Sequence, residues 1–131
     1  MDIDPVIYGY VSNEERFSDG SYIIKEGTDG DWIYVILDGR VKVVKKTPKG
    51  MITVATLKEG QVFGELIFLQ MEKGQRTASV IAVGDVTVGI LNMDDLAKQL
   101  HAISPLLKTL ISSLAKRVQE ATKQLISMSI T

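Results

Sequence analysis

Glycine punctuates the first two thirds of this chain, and its spacing leaves few folds open. Asp19-Gly20, Glu26-Gly27, Asp29-Gly30-Asp31, Asp38-Gly39, Lys49-Gly50, Glu59-Gly60 and Gly84-Asp85 each separate short runs of β-branched and aromatic residues. Such pairs mark turns, because glycine reaches positive φ without a steric penalty and a neighbouring Asp closes local hydrogen bonds. Turns about every ten residues between short apolar runs predict an all-β roll or sandwich.

The runs alternate with period two, as half-buried strands do. In Trp32 to Leu37, Ile33, Val35 and Leu37 share one face, and Lys42 separates Val41 from Val43. Met51 to Leu57, Thr77 to Val83 and Val86 to Leu91 repeat the scheme. Lys45 to Gly50 reads as a hairpin tip with solvated lysines. Trp32 and Tyr34 read as core or turn-packing aromatics. Residues 1–16 form a short N-terminal segment, where Val6, Tyr8 and Tyr10-Val11 fit a short strand as well as a turn of helix.

At residue 92 the texture changes. Asn92 before Met93-Asp94-Asp95 predicts a capped helix with carboxylates in its first turn, running to about Ala102. Ser104-Pro105 predicts a second start. From there Leu107, Ile111, Leu114, Val118, Ala121, Leu125 and Met128 recur at alternating steps of four and three, a heptad seam that calls for a partner helix. Leu106, Leu110 and Arg117 lie on a separate line, so the helix is expected to serve two surfaces, one on the roll and one in a parallel homodimer through residues 105–128. The expected layout is a short segment over 1–16, a β-roll over 17–92 and C-terminal helices over 93–131.

Composition narrows the function classes. With 131 residues, 45% of them hydrophobic, one core suffices. The 15 basic and 16 acidic residues give a net charge of −1, which offers no general attraction to nucleic acid or to an acidic membrane. Cysteine is absent, which excludes a disulfide framework and a cysteine nucleophile. The acidic start Met1-Asp2-Ile3-Asp4 is unlike a signal peptide, and no apolar run approaches the ~20 residues that span a bilayer. The expectation is a cytoplasmic protein with no direct DNA or membrane binding.

The stretch Phe63-Gly64-Glu65-Leu66-Ile67-Phe68-Leu69, closed by Arg76-Thr77-Ala78-Ser79-Val80, is laid out as a small anion site. A glycine before a short helix directs backbone N–H groups at one spot, Arg76 supplies a permanent cation and Thr77 a hydroxyl. Glu65 repels an anion unless it accepts from a neutral donor such as a sugar hydroxyl. The combination points to a phosphate attached to a sugar.

The order of these features resembles the cyclic nucleotide-binding domain shared by bacterial catabolite activators, protein kinase A regulatory subunits and cyclic-nucleotide-gated channels. The resemblance runs from residue 17 to about 125. It is carried by Asp19-Gly20 through Glu26-Gly27, by Gly30-Asp31-Trp32-Ile33-Tyr34-Val35-Ile36 and Gly39-Arg40-Val41, and by Gly60 to Leu66 with Arg76 to Val80, similar to the phosphate-binding cassette (63–80). It implies a mainly β fold, a double-stranded β-helix or jelly roll, with a long C-terminal helix. It implies that Arg76 pairs with the cyclic phosphate and Glu65 accepts from the ribose 2′-hydroxyl. Gly64, Leu66 and Ala78 would offer backbone groups and Thr77 its hydroxyl. Phe63, Val43, Val54 and Val80 would form apolar walls, with Arg117 and Thr122 on the long helix. The ligand implied is cAMP, cGMP or a related cyclic nucleotide, with no further cofactor or metal.

Three departures set this chain apart from the family pattern. Glu65 and Arg76 are eleven positions apart, with Met71-Glu72-Lys73-Gly74-Gln75 as an enlarged loop and Gln75 where many members have proline. Ala121-Thr122 stands where catabolite activators carry a Thr-Ser pair. The helical segment ahead of the roll is short or missing, and no helix-turn-helix follows before Thr131, so the expected output is signalling through the C-terminal helix to a separate effector. The competing expectation is a dimeric interaction module that kept the roll and lost its ligand. Catalysis is not expected: β-rolls that act as metal enzymes use several histidines with a carboxylate, and this chain has one histidine, His101.

Overall fold

The computed structural model describes residues 4–30, 32–70 and 75–130. Among these residues ten elements follow in order: α1 (Pro5–Tyr8), β1 (Val11–Phe17), β2 (Tyr22–Ile24), β3 (Tyr34–Thr47), β4 (Gly50–Lys58), β5 (Val62–Phe63), α2 (Glu65–Gln70), β6 (Ser79–Leu91), α3 (Met93–Ala102) and α4 (Pro105–Ile130). All strand pairings are antiparallel, in the order β1-β6-β3-β4, with β2 added to β6 and β5 to β3. The architecture is the expected one, mainly β with C-terminal helices.

Two long strands organise the roll. β3 and β6 each pass through positions read in the sequence as turns, Asp38-Gly39 and Gly84-Asp85, without ending. The ladder between them breaks there: Asp38 pairs with Thr87 and Arg40 with Val83, so the intervening β6 residues are unpaired with β3. Gly39 has φ +96°, and a Cβ on it would stand 2.6 Å from the Asp85 carbonyl oxygen. No other residue fits that crossing. The glycine thus bends the sheet rather than terminating a strand.

Period-two alternation places the main core inside the roll, where Ile36, Val41, Val86 and Val88 are fully buried beside Ile24, Phe63, Val80 and Ile90. Tyr34 stacks on Phe63 with ring centroids 5.1 Å apart. On the other side, Ile33 just before β3 and Val35 within it form a smaller core with Leu91, covered by Ile7, Tyr10, Phe68 and Leu96. That second core explains the N-terminal segment. Asp4 caps α1 by accepting from the Val6 N–H at 2.9 Å, Pro5 occupies the first helical position, and Ile7 docks on the sheet.

The C-terminal helices begin at their predicted caps. Asn92 Oδ1 accepts from the Asp95 N–H and Ser104 Oγ from the Leu107 N–H, each at 3.2 Å. α4 packs on α2 and β4. The face it turns inward is Ile111, Ala115, Gln119, Thr122 and Ile126, of which Ala115 is 4% exposed. Leu106 and Leu110, expected on a packing line of their own, are instead exposed. The seam residues Leu107, Leu114, Val118, Leu125 and Met128 are exposed as well.

Candidate functional site

Gly64 ends β5 and Glu65 begins α2, so backbone direction changes within one residue. Gly64 has φ +88°, and a Cβ on it would lie 2.8 Å from the Trp32 carbonyl oxygen and 3.2 Å from Arg76 Nη1. Its missing side chain is what lets the arginine through. Arg76 is 7% exposed, and its guanidinium donates to the Gly64 carbonyl at 2.9 Å and to the Trp32 carbonyl at 2.7 Å. Its backbone is pinned as well: the Arg76 N–H donates to Thr28 O at 2.7 Å and the Gly27 N–H to Arg76 O at 2.8 Å. These carbonyls orient the guanidinium without themselves offsetting its charge.

Trp32 takes part through its carbonyl alone, while its side chain is half-exposed rather than in the core. Met71 to Gly74 of the enlarged loop lie outside the described residues; Gln75, which follows them, forms an isolated antiparallel bridge with Asp29.

Burial pushes the Glu65 carboxyl above its ordinary value of 4.5, against the smaller opposing effects of its own backbone N–H and of the Arg76 charge. Glu65 and Arg76 both line one pocket.

The pocket is a cavity of about 350 Å³ whose walls include Val43, Phe63, Gly64, Glu65, Leu66, Arg76, Thr77, Ala78 and Val80. Nine of the residues singled out in the sequence are thus brought together. A second cavity of about 190 Å³ shares Val43, Ala55, Leu66, Thr77 and Ala78 with the first and extends to α4, where Thr122 lines it along with Val54 of β4. Arg117 joins neither. It lies along an open groove with Lys108, Ser113, Lys116 and Glu120, because α4 turns Thr122 inward and Arg117 outward.

Several lining residues escaped the sequence reading. Ala55 is one: it faces the same space as its neighbour Val54, an expected wall residue, because the β3–β4 register slips there, Val43 pairing with Ala55 and Val44 with Thr53 and leaving Val54 as a bulge. A bulge re-aims a side chain in this way. Lys45, read as a solvated hairpin lysine, lines the second cavity, donates to the Thr77 carbonyl and pairs with Glu26 at 3.0 Å. Its signal was present, since period two places Lys45 on the face of Val43. From α4, Val118 lines the larger cavity and Gln119, Lys123 and Ile126 the smaller. Among the described residues no group of three His, Cys, Asp or Glu side chains is placed to hold a metal, and no helix is long and apolar enough to cross a membrane.

Comparison with known proteins agrees with this geometry. A 100-residue stretch is 35% identical to a cyclic nucleotide-gated channel of Caenorhabditis elegans, covering 73% of this chain and 13% of the channel. Over 116 residues the chain is 27% identical to the CRP-like cAMP-activated global transcriptional regulator of Mycobacterium tuberculosis, covering 88% of this chain and 51% of that protein. The chain therefore spans well under two thirds of either relative. Among solved structures, the EAL enzyme Bd1971 in its cAMP and cyclic-di-GMP bound form superposes with a TM-score of 0.76 at 27% identity, over 86% of this chain and 29% of that one. Its cGMP bound form superposes with a TM-score of 0.73. The family model described as "Cyclic nucleotide-binding domain" matches residues 14–102, well over half of the chain. A β-roll with a glycine-gated arginine, a desolvated glutamate and this sequence match have one common explanation: the chain belongs to the cyclic nucleotide-binding domain family.

Proposed function

We propose that this chain is a non-enzymatic regulatory domain that binds a cyclic nucleotide, cAMP or cGMP, between the cassette and α4, and signals through α4 to a separate partner. The observation that carries the reading is Arg76, a buried guanidinium fixed by two backbone carbonyls in the wall of a largely apolar cavity that also holds Glu65. A cyclic phosphodiester carries one negative charge and matches one oriented cation. Such a charge-assisted contact contributes on the order of 1.5–3 kcal/mol. Glu65, when deprotonated, accepts from a ribose hydroxyl, and the apolar walls exclude water and strengthen both contacts. The cavity volume of about 350 Å³ falls at the lower end of the range of roughly 300–1,000 Å³ that holds small ligands.

The relay follows from the same walls. Val118 lines the ligand cavity while belonging to the exposed seam of α4. A ligand that favours one placement of α4 over another shifts the population of helix arrangements, and whatever packs on the seam senses it. The seam's heptad spacing favours a second copy of the chain as the first thing to pack there, with an effector protein reading the dimer.

Isothermal titration with cAMP and cGMP tests the binding. The expected result is saturable binding that Arg76→Ala abolishes. Absence of heat with either nucleotide at high micromolar concentration would favour a β-roll that has lost its ligand. Hydrogen exchange across residues 104–128 tests the relay, which requires protection there to change on saturation.

A further inference from the structure

The smaller cavity carries chemistry that a sugar phosphate does not use. Besides Thr77, four polar side chains stand around it: Lys45 from β3 and Gln119, Thr122 and Lys123 from α4. Two are cations, and none of the described residues lining it is acidic. Lys45 is not a sweeping surface lysine. Its ammonium donates to the Thr77 carbonyl and pairs with Glu26 Oε2 at 3.0 Å, which uses two of its three N–H groups. The Thr122 hydroxyl donates to the Val118 carbonyl at 2.9 Å, so its oxygen is left as an acceptor. Donors therefore outweigh acceptors around this space.

Resting on the reading above, in which Arg76 and Glu65 hold the sugar phosphate, we infer that the smaller cavity receives the base and selects a purine with a carbonyl at its six-position over one with an amino group. The purine edges differ there. Guanine offers two acceptors, N7 and O6, whereas adenine offers N7 beside the N6 amino donor. An ammonium facing O6 gains a charge-assisted hydrogen bond. On the adenine edge it keeps N7 alone and meets the N6 amino group donor to donor. The Thr122 oxygen adds an acceptor for the N1–H that accompanies a six-position carbonyl and that adenine lacks.

Competition binding with cGMP, cIMP and cAMP tests this, because cIMP keeps the six-position carbonyl and lacks the two-position amino group. The expected order is cGMP and cIMP together, each on the order of tenfold tighter than cAMP. An affinity for cAMP equal to or above that for cIMP would overturn the inference while leaving cyclic-nucleotide binding intact. Silence with all three would refute the underlying reading and this inference with it. Lys123→Met supplies a second arm, with the ratio of cIMP to cAMP affinity expected to shrink several-fold. Equal loss for all three nucleotides would show that Lys123 acts only as a general attraction for the phosphate, which contradicts a role in reading the base.

Discussion

Replacing Gly64 with alanine tests the construction of the site with a single methyl group. Two costs are legible in the structure. At φ +88° an L-residue costs about 1–2 kcal/mol. The added Cβ would also stand 2.8 Å from the Trp32 carbonyl oxygen and 3.2 Å from Arg76 Nη1, and relieving that overlap by moving backbone costs about 1–3 kcal/mol more. Gly20 isolates the first cost, because it has φ +82° and a Cβ on it would meet nothing within 4 Å. With a urea m-value of about 2 kcal/mol/M, Gly64→Ala should lower the unfolding midpoint by about 1–2.5 M and Gly20→Ala by about 0.5–1 M. Binding should separate the two variants further. Gly64→Ala displaces the guanidinium and should weaken cyclic-nucleotide affinity by at least about tenfold, whereas Gly20→Ala should leave it unchanged. If the two variants show the same midpoint and the same affinity, Gly64 is merely a turn glycine and the close passage of Arg76 has no energetic weight.

Other residues give independent checks. Glu65 titrates above 4.5 because it is buried, so its favourable contribution is fully present below the unfolded value and is lost as pH rises through the raised folded value; Glu65→Gln should therefore raise the urea midpoint at neutral pH and lose that advantage near pH 4.5. Ligand affinity should show the opposite trend, weakening in the native protein as pH falls through the raised value and becoming flat with pH in the Gln variant. Ser79→Ala removes the buried acceptor of the Glu26 N–H at 2.8 Å and should cost about 1–3 kcal/mol by urea titration. Ala115→Leu overpacks the inward face of α4 and should cost about 1–3 kcal/mol, with faster hydrogen exchange in α4 as the local readout. Leu125, on the seam and 62% exposed, should tolerate Glu within about 0.5 kcal/mol in the isolated protomer while sedimentation shows a dimer reduced to a monomer.

Local chemistry made most of the fold readable. Turn glycines, period-two runs, the Asn92 and Ser104 caps and the Gly64–Glu65 and Arg76–Thr77 ends of the cassette act within a few residues of themselves. What escaped depends on partners distant in sequence. Ile7 makes α1 a docked element because Ile33, Val35 and Leu91 form a second core beneath it, and nothing within residues 4–11 announces that surface. Ala55 joins Val54, an expected wall residue, in one cavity because of a slip in cross-strand register. Gly39 and Gly84, read as strand ends, are bends in continuous strands, since a glycine's freedom does not say what the chain does next. On α4 the heptad seam stands out in the sequence, yet the face turned to the roll is the less apolar line through Ala115, Gln119 and Thr122, where small size and polar function replace hydrophobic bulk. That substitution also hid Gln119 and Lys123 as lining residues.

A structure of the chain with a bound cyclic nucleotide tests the account most directly. The phosphate is expected within hydrogen-bond distance of the Arg76 guanidinium, a ribose hydroxyl on Glu65 and the base against Thr122 and Lys123. A nucleotide bound elsewhere, or bound with its phosphate away from Arg76, would contradict it.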